Sequence, residues 1–294
     1  MHLLFVTFGK NEKNHAQAYF CIYSFLAQNA NLSSLNIITD HPQWYKSIEK
    51  HVNVIEVSPQ ILNEWKGSHD YMWRIKIKAI EKILFKYPGE PVLYLDTDTF
   101  LYNDFYGLSE VAKNRQAAMH ENEGKLKNRS EKSMRMMTNA FSKKSFSGFD
   151  KLEEQDMWNA GVILIPNTKK GEDIQQVLQL CDEMCKQNVR PYFIEQFCFS
   201  VVLKKFYGLT AASPYIAHYW SNRNEWNEVI NAFLLESYLK GFNENETISS
   251  FLKIDLRAIA VKRIVKNTNQ RLKHTIDRIF PPQAENYLPD STNE

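Results

Sequence analysis

The sequence predicts an α/β fold in which a mostly parallel, Rossmann-like sheet is covered by helices on both faces. Between residues 2 and 100, apolar runs of strand length alternate with segments whose apolar residues recur at helical spacing. Pro, Gly and polar residues separate these segments. The chain has 294 residues, of which 44% are hydrophobic, and this is sufficient for one large domain with its own core.

The first half of the chain is predicted to contain four strands and three helices. The strands are the apolar runs at residues 2–8, 35–39, 52–57 and 91–100. The helices are residues 15–28, a short segment that starts near Pro42, and residues 70–87, which Pro88 and Gly89 terminate. Ligands of parallel sheets bind at the carboxyl ends of the strands, so the polar residues that follow these strands are candidates for a site.

The second half begins with a polar, charge-rich excursion over residues 121–156, which we expect to lie over the site as a lid or insertion. After it we predict a strand at 157–166, helices at 172–187 and 193–206, and a strand at 213–220. We place the end of the α/β domain at residue 250 and assign residues 251–294 to a C-terminal tail.

The tail is basic and amphipathic. Residues 252–280 carry eight Lys or Arg and two Asp, and their apolar residues recur at helical spacing. Such a helix can lie on an anionic membrane surface, but it can equally be an ordinary helix that packs on the body. The rest of the chain is nearly neutral and shows no recognition motif, so we do not expect a nucleic-acid partner.

The expected compartment is the cytoplasm, with peripheral contact at the inner face of the membrane. The four cysteines complete no zinc set with histidines and are expected to be reduced thiols. The amino-terminal stretch begins at once as a strand rather than as a secretory signal. No apolar run reaches the length that would span a membrane.

The fourth strand ends in two aspartates, Asp96 and Asp98, in the sequence VLYLDTDTF. Side chains two apart on a strand point the same way, and two carboxylates held that close repel each other unless a cation lies between them. Hard oxygen ligands suit Mn²⁺ or Mg²⁺. The pair therefore predicts a divalent metal site.

Three interpretations of the aspartate pair are open. In a haloacid-dehalogenase-like phosphatase the first Asp would be the nucleophile, but Phe100 stands where that motif has Thr or Val, and three strands precede this one. In a nucleotide-sugar glycosyltransferase a metal would offset charge on the leaving diphosphate. The pair can also simply cap the next helix. A non-catalytic sugar-nucleotide-binding or scaffold protein is a further alternative.

Several stretches between Met1 and about Trp226 resemble, in order, segments of the GT-A-fold glycosyltransferases. They are AYFCIYSFL, YMWRIKI, VLYLDTDTFLYND, WNAGVILIP, EQFCFSVVL and HYWSNRNEW. The pattern is most similar to the retaining glycosyltransferase family 8, which includes bacterial galactosyltransferases and glycogenin. The resemblance implies a GT-A fold and an enzyme that transfers a hexosyl group from a nucleoside-diphosphate sugar, with a UDP-sugar as the expected donor.

The resemblance also implies roles for individual residues. Asp96, Asp98 and His218 would hold the metal, and Arg223 would bind phosphate, because Asn224 stands where the family has a lysine. The expected donor-binding residues are Thr7, Phe8, Asp40, Arg74, Asn159, Ala160 and Gly161. Gln196, or else Glu195, would act at the anomeric carbon. The expected acceptor is a glycan or a lipid-linked sugar in surface polysaccharide synthesis.

Overall fold

A seven-stranded sheet forms the centre of the protein. The structure is a computed structural model that describes residues 1–166 except 143, 145 and 147, residues 171–189 and 193–263, and residues 272, 275, 276 and 278–280. The described strands are β1 (His2–Thr7), β2 (Ser34–Thr39), β3 (Asn53–Glu56), β4 (Val92–Leu95), β5 (Thr99–Leu101), β6 (Ala117–Met119), β7 (Asn122–Lys125), β8 (Asp156–Trp158), β9 (Val162–Ile165), β10 (Leu209–Ala211) and β11 (Ile216–His218).

The sheet has the strand order β10-β6-β9-β4-β1-β2-β3. All neighbouring pairs are parallel except those of β9, which runs antiparallel to both β4 and β6. The predicted mostly parallel sheet is therefore confirmed. The chain leaves β1 toward β2 and β3 and returns to add β4 on the other side of β1, so a crevice opens at the carboxyl ends of β1 and β4.

Helices cover both faces of the sheet. They are α1 (Glu12–Ala27), α2 (Pro59–Trp65), α3 (Arg74–Lys86), α4 (Phe105–Lys113), α5 (Lys132–Phe141), α6 (Glu172–Lys186), α7 (Ile194–Tyr207), α8 (Arg223–Leu239) and α9 (Glu244–Phe251). Alternate residues of β1 enter two separate cores: Leu3 and Phe5 pack in one cluster with residues of α1 and α8, and Leu4 packs in the other with residues of α3, α6 and α7.

The long helix before β4 is shorter than the sequence predicts. It was expected from Asp70, but α3 begins at Arg74. Asp70 has φ of 47°, a left-handed conformation that no helix residue adopts, and the chain forms turns up to Trp73. The helix ends as predicted, with Tyr87 as its C-cap immediately before Pro88.

The excursion at 121–156 contains regular structure of its own. Strands β7 and β8 pair with each other outside the central sheet. The methionine cluster of this segment lies on α5, where Met134 and Met137 are buried with Phe141. These residues belong to the core on the α7 side of the sheet, so the excursion packs on the body through its apolar residues.

The start of the tail differs from the predicted helix. Residues 252–263 form turns and extended backbone after α9. Their apolar residues, Ile254, Leu256, Ile259 and Val261, recur at intervals of two or three and pack against the body. The carbonyl of Ala260 accepts hydrogen bonds from the side chains of Asn222 (2.7 Å) and Trp226 (3.2 Å). Residues 264–271 and 281–294 lie outside the described residues.

Candidate functional site

The candidate site lies at the carboxyl end of β4, in the crevice beside β1. Strand β4 ends at Leu95, and one further bond follows in the same register with β9, from the Asp96 N–H to the carbonyl of Gly161 (2.8 Å). The Thr99 hydroxyl then donates to the Asp96 carbonyl (2.8 Å) and closes a turn. This turn carries Asp96 and Asp98 out of the sheet and leads into β5, which pairs antiparallel with β11.

Pairing of β5 with β11 brings a histidine to the two aspartates. His218 is the last residue of β11 and lies opposite Thr99 in the ladder. One ligand atom from each of Asp96, Asp98 and His218 lies within 4.8 Å of the others. The three predicted metal ligands, which are 122 residues apart at their extremes, are thus brought together by a short antiparallel ladder that the sequence does not announce.

Hydrogen bonding sets the orientation and tautomer of His218. The Asn159 Oδ1 accepts a hydrogen bond from the Gly161 N–H (3.0 Å), which identifies it as the carbonyl oxygen of the amide. His218 Nδ1 lies 2.9 Å from the same oxygen and must therefore donate to it. In the neutral imidazole, Nε2 then carries a free lone pair. Nε2 is buried and has no hydrogen-bond partner among the described residues, with Asp98 Oδ1 at 3.4 Å.

Gly161 is required by the packing of His218. A Cβ atom built on Gly161 would lie 2.1 Å from Cε1 and 2.3 Å from Nδ1 of the imidazole, which real atoms cannot do. The Asn-Ala-Gly sequence before β9 therefore has a structural cause beyond the expected contact with a sugar: Asn159 orients the imidazole, and Gly161 makes room for it.

Asp98 is almost completely buried, and an arginine stabilises its negative charge. The Arg223 Nε donates to Asp98 Oδ2 (2.6 Å) from the first residue of α8. Burial alone would raise the pKa of Asp98, and the Arg223 guanidinium opposes this by favouring the charged carboxylate. Arg223 therefore lies beside the cluster, as its predicted role near the phosphates requires.

A buried lysine lies between Asp96 of the candidate metal cluster and Glu195 of α7. Lys76 Nζ lies 3.1 Å from Asp96 Oδ1 and 3.0 Å from Glu195 Oε1, and it donates to the Ala160 carbonyl (3.2 Å). Burial alone would lower the pKa of Lys76, but the two carboxylates outweigh it and raise the pKa. Burial raises the pKa of Glu195. The Tyr94 hydroxyl completes the set by donating to Asp96 Oδ1 (2.7 Å).

A cavity of about 390 Å³ extends from this end of the site toward the excursion. Asp96, His218, Gly161 and Glu195 line its inner part. Residues of the excursion line the outer part, namely Glu123, Arg129, Glu131, Ser133 and Met134. The excursion thus forms a wall of the cavity, consistent with its expected position over the site.

One carboxylate organises the outer part of the cavity. Glu123 Oε1 accepts from Asn159 Nδ2 (3.2 Å), and Glu123 Oε2 accepts from Gln196 Nε2 (3.4 Å). Arg129 donates to the Glu123 carbonyl (2.6 Å) and to Glu131 (2.8 and 3.2 Å). This network links the residue that orients His218 to Gln196, the residue expected to act at the anomeric carbon.

The structure brings most, but not all, of the predicted site residues to this cavity. Asp96, Asn159, Ala160, Gly161, Glu195, Gln196 and His218 line it, and Asp98 and Arg223 lie beside it. Arg74 does not line it. Its guanidinium forms a bidentate pair with Asp182 of α6 (2.7 and 3.0 Å) and donates to the Trp65 carbonyl. Lys76, two residues further along α3, is the cation of this segment that reaches the site.

The residues expected to meet the base lie at the ends of β1 and β2. The Gly9 N–H donates to the Asp40 carboxylate (3.0 Å), and the Tyr45 hydroxyl donates to Thr7 (2.9 Å). Phe8 is about one-third exposed. Thr7, Phe8 and Asp40 therefore lie at the carboxyl ends of β1 and β2 and do not line the 390 Å³ cavity.

Several residues of the site were not predicted, among them Lys76, Glu123, Arg129 and His120. A signal existed for Lys76, which precedes Ile80 by four residues and Ile83 by seven and so lies on the buried stripe of α3. His120 is buried, with its ring edge against the ring of His218 (centroids 5.2 Å apart), and burial lowers its pKa to about 4. Glu123 and Arg129 lie in a charge-rich segment whose pattern does not distinguish them from solvated charges.

Comparison with known proteins gives similar solved structures but no sequence match. No family model and no curated protein matches the chain. The galactosyltransferase LgtC in complex with donor and acceptor sugar analogues is similar at 17% identity over 72% of this chain and 73% of that chain, with a TM-score of 0.44. Mouse xyloside xylosyltransferase 1 is similar at 14% identity over 71% and 84%, with a TM-score of 0.48. The glycosyltransferase GlyE of Streptococcus pneumoniae TIGR4 is similar at 16% identity over 90% and 55%, with a TM-score of 0.44.

Proposed function

We propose that this protein is a metal-dependent glycosyltransferase of GT-A fold that moves a sugar from a nucleoside-diphosphate donor, with UDP-sugar the first donor to test. The observation that carries the proposal is the cluster of Asp96, Asp98 and His218 at the carboxyl end of β4, where a ligand of a parallel sheet is expected. The ordered motif resemblance to retaining glycosyltransferases supports the same activity.

The three residues fit a divalent metal. The donor set is two carboxylates and one imidazole, which suits Mn²⁺ or Mg²⁺. His218 presents a free Nε2 lone pair in a buried position, and Asn159 holds its other nitrogen, as outer partners do for metal-ligating histidines. When bound, the metal would offset the charge that develops on the leaving diphosphate.

The chain's own residues would hold the donor and separate its reacting atoms from water. Arg223 can release part of its contact with Asp98 to a phosphate, since a guanidinium offers several donors in a fork. Lys76 fixes Asp96 and Glu195 in place. In the transfer, the acceptor oxygen bonds to the anomeric carbon, the bond from that carbon to the diphosphate breaks, and the acceptor proton leaves with the nucleoside diphosphate.

The carboxylates around the cavity favour retention of configuration. An inverting transfer needs a free base that faces the acceptor. Among the described residues, each carboxylate that lines the cavity already accepts from a cation or a hydroxyl: Asp96 and Glu195 from Lys76, and Glu123 and Glu131 from Arg129. Gln196, an amide that cannot act as a base, is left at the cavity wall.

Donor turnover tests the proposal. The protein would be incubated with a panel of nucleoside-diphosphate sugars in Mn²⁺, Mg²⁺ or EDTA, and free nucleoside diphosphate would be measured. We expect slow hydrolysis of one or a few donors, with UDP-sugars first, and loss of turnover in EDTA. Release of inorganic phosphate from simple phosphoesters, without donor turnover, would instead favour the phosphatase interpretation.

The acceptor and the tail are a second part of the proposal. Within the described residues, no helix is both long and apolar enough to cross a membrane. The described positions near residue 275 are helical, and Leu272, Ile276, Ile279 and Phe280 are exposed at spacings of four, three and one. We propose that this apolar face and the tail's basic residues bind an anionic membrane surface at the cytoplasmic side, where a lipid-linked or surface glycan would be the acceptor.

Vesicle binding tests the tail. Residues 252–263 pack on the body through Ala260, so the informative truncation ends at Arg263. This variant should remain folded, lose binding to anionic vesicles and keep donor hydrolysis. Binding of the full chain should weaken as salt rises. A full-length protein that ignores anionic vesicles would exclude membrane docking and leave the glycosyltransferase proposal intact.

A further inference from the structure

Two half-exposed tryptophans line the 390 Å³ cavity. Trp73 is 46% exposed and Trp220 is 47% exposed, and both line the cavity. Large aromatic side chains are costly to leave in water, and two of them in one cavity indicate a ligand that covers them. Trp73 immediately precedes α3, which carries Lys76, and Trp220 follows His218 by two residues. Both indoles are therefore held by the elements that build the metal end of the site.

The indoles line the cavity, which the residues expected to meet the base do not. The cavity they line contains Asp96 and His218 at one end and Glu123 and Arg129 at the other. The residues at the ends of β1 and β2, where the base is expected, are outside its lining. A group stacked on the indoles would therefore lie in the cavity and not at the strand ends where the base is expected, which leaves the indoles available to a sugar.

Among the residues that the structure describes, the outer part of the cavity lining offers hydrogen bonds but no uncompensated positive charge. Arg129, the cation of this wall, is already engaged by Glu123 and Glu131. Lys76 is likewise engaged by Asp96 and Glu195. Carboxylate and guanidinium groups in such a network exchange hydrogen bonds with hydroxyls readily, whereas an anionic group would compete with the carboxylates for the same cations.

We propose that the outer half of the cavity is an acceptor subsite for an uncharged pyranose ring. The C–H face of the ring packs on Trp73 or Trp220, and its hydroxyls bond to the network of Glu123, Arg129 and Glu131. A pyranose fits this combination because it has one apolar face and a rim of hydroxyl groups. The inference rests on the proposed function, which it deepens by assigning the acceptor as a neutral glycan end rather than a sugar phosphate, a uronic acid or a hydroxyl on a protein.

The experiment separates donor use from acceptor use. Donor hydrolysis, in which water is the acceptor, and transfer to a panel of acceptors would be measured on the full chain with the same donor. The panel contains neutral methyl hexopyranosides and disaccharides, the corresponding sugar 6-phosphates and uronides, and a serine-containing peptide. Wild-type protein should transfer to at least one neutral pyranoside and use its 6-phosphate at least about tenfold less efficiently in kcat/KM.

Trp73→Ala and Trp220→Ala are the test variants, with Tyr238→Ala as the control because Tyr238 is 81% exposed and does not line the cavity. At least one tryptophan variant should raise the acceptor KM about tenfold while donor hydrolysis stays within about twofold, and the matching Trp→Phe variant should recover part of the loss because it keeps a ring face. The control should match wild type.

Three results would overturn the inference. They are an unchanged acceptor KM in both tryptophan variants, a parallel loss of donor hydrolysis that would assign the indoles to the donor, and a preference of wild-type protein for the charged acceptors or the peptide. If wild-type protein turns over no donor at all, the proposed function itself fails, and this outcome is distinct because hydrolysis needs no acceptor.

Discussion

The two ends of the cavity are built in different ways. The inner end consists of strand-end residues that are buried and held by several partners each, such as Asp98 between Arg223 and His218. The outer end consists of excursion residues around the Glu123 network, and two half-exposed indoles line the same cavity. Buried, fully bonded groups tolerate little change, whereas exposed ones can vary. The inner end therefore suits the invariant part of a reaction and the outer end the choice of acceptor.

The largest expected effect is at the inner end. Asp98→Asn removes one carboxylate of the candidate metal site and should lower turnover of the best donor by about a thousandfold or more, since metal stabilisation of the leaving group is worth several kcal/mol. The matched control is Asp182→Asn, which also removes the carboxylate partner of an arginine, Arg74, but outside the cavity. The control should retain turnover. Equal turnover in wild type and Asp98→Asn at saturating donor would disprove the role of Asp98.

Loss of Lys76 should cost more free energy of unfolding than loss of Arg74 on the same helix, because the ion pairs of Lys76 are more deeply buried. Lys76→Met leaves Asp96 and Glu195 without their shared cation, and breaking a buried ion pair from one side typically costs about 3–5 kcal/mol in the free energy of unfolding. Arg74→Met, two residues away, breaks a pair whose aspartate is 45% exposed and should cost roughly 1 kcal/mol. Urea denaturation measures both. Equal losses would contradict the assignment of Lys76 as the buried cation of the site.

His120 should make the inner end sensitive to acid. Its pKa is lowered to about 4 by burial, whereas an unfolded histidine has a pKa of about 6.5. The unfolded chain therefore binds the proton first, and this contribution to stability, on the order of 2–3 kcal/mol, is present above pH 6.5 and lost as the pH falls toward 4. His120→Gln should flatten the fall in unfolding free energy over this range. An identical pH profile for the variant would show that His120 titrates normally.

The smallest effect is expected at Gln196, which lines the cavity between its inner and outer ends. Gln196→Ala removes the amide that faces the cavity and donates to Glu123. If Gln196 acts at the anomeric carbon, kcat should fall about tenfold to a hundredfold while the donor KM changes little. Measuring both constants with the best donor decides the matter. A raised KM with an unchanged kcat would make Gln196 a binding residue only.

The difference between the strand-end residues and the excursion residues also explains how much of the site the sequence could predict. The strand-end aspartates and the parallel sheet follow from periodicity, because these features are local in the chain or fixed by sheet topology. His218 was named only through the ordered motif resemblance. Lys76 could have been found, because it lies on the buried stripe of α3, but the start of this helix at Arg74 follows a turn at Asp70 that no periodicity reveals. The Glu123 network joins residues of the excursion to Asn159 and Gln196, and only tertiary packing brings such distant charges together.

The tail shows the same limit. Its apolar residues from Ile254 to Val261 fit a helical stripe about as well as they fit an extended segment. In the structure the backbone carbonyl of Ala260 accepts hydrogen bonds from the side chains of Asn222 and Trp226. These tertiary contacts hold the segment in a non-helical conformation despite its helical spacing of apolar residues.

Calorimetric titration of UDP into the protein, with Mn²⁺ and then with EDTA, tests the central claim most directly. The cluster of Asp96, Asp98 and His218 predicts that UDP binds at least about tenfold more tightly with Mn²⁺, a difference of about 1.4 kcal/mol or more, because the metal would join the carboxylates to the diphosphate. The difference should disappear when Asp96 and Asp98 are both replaced by Asn. The claim would be contradicted if Mn²⁺ left the affinity of wild-type protein for UDP unchanged, and likewise its affinity for each other nucleoside diphosphate.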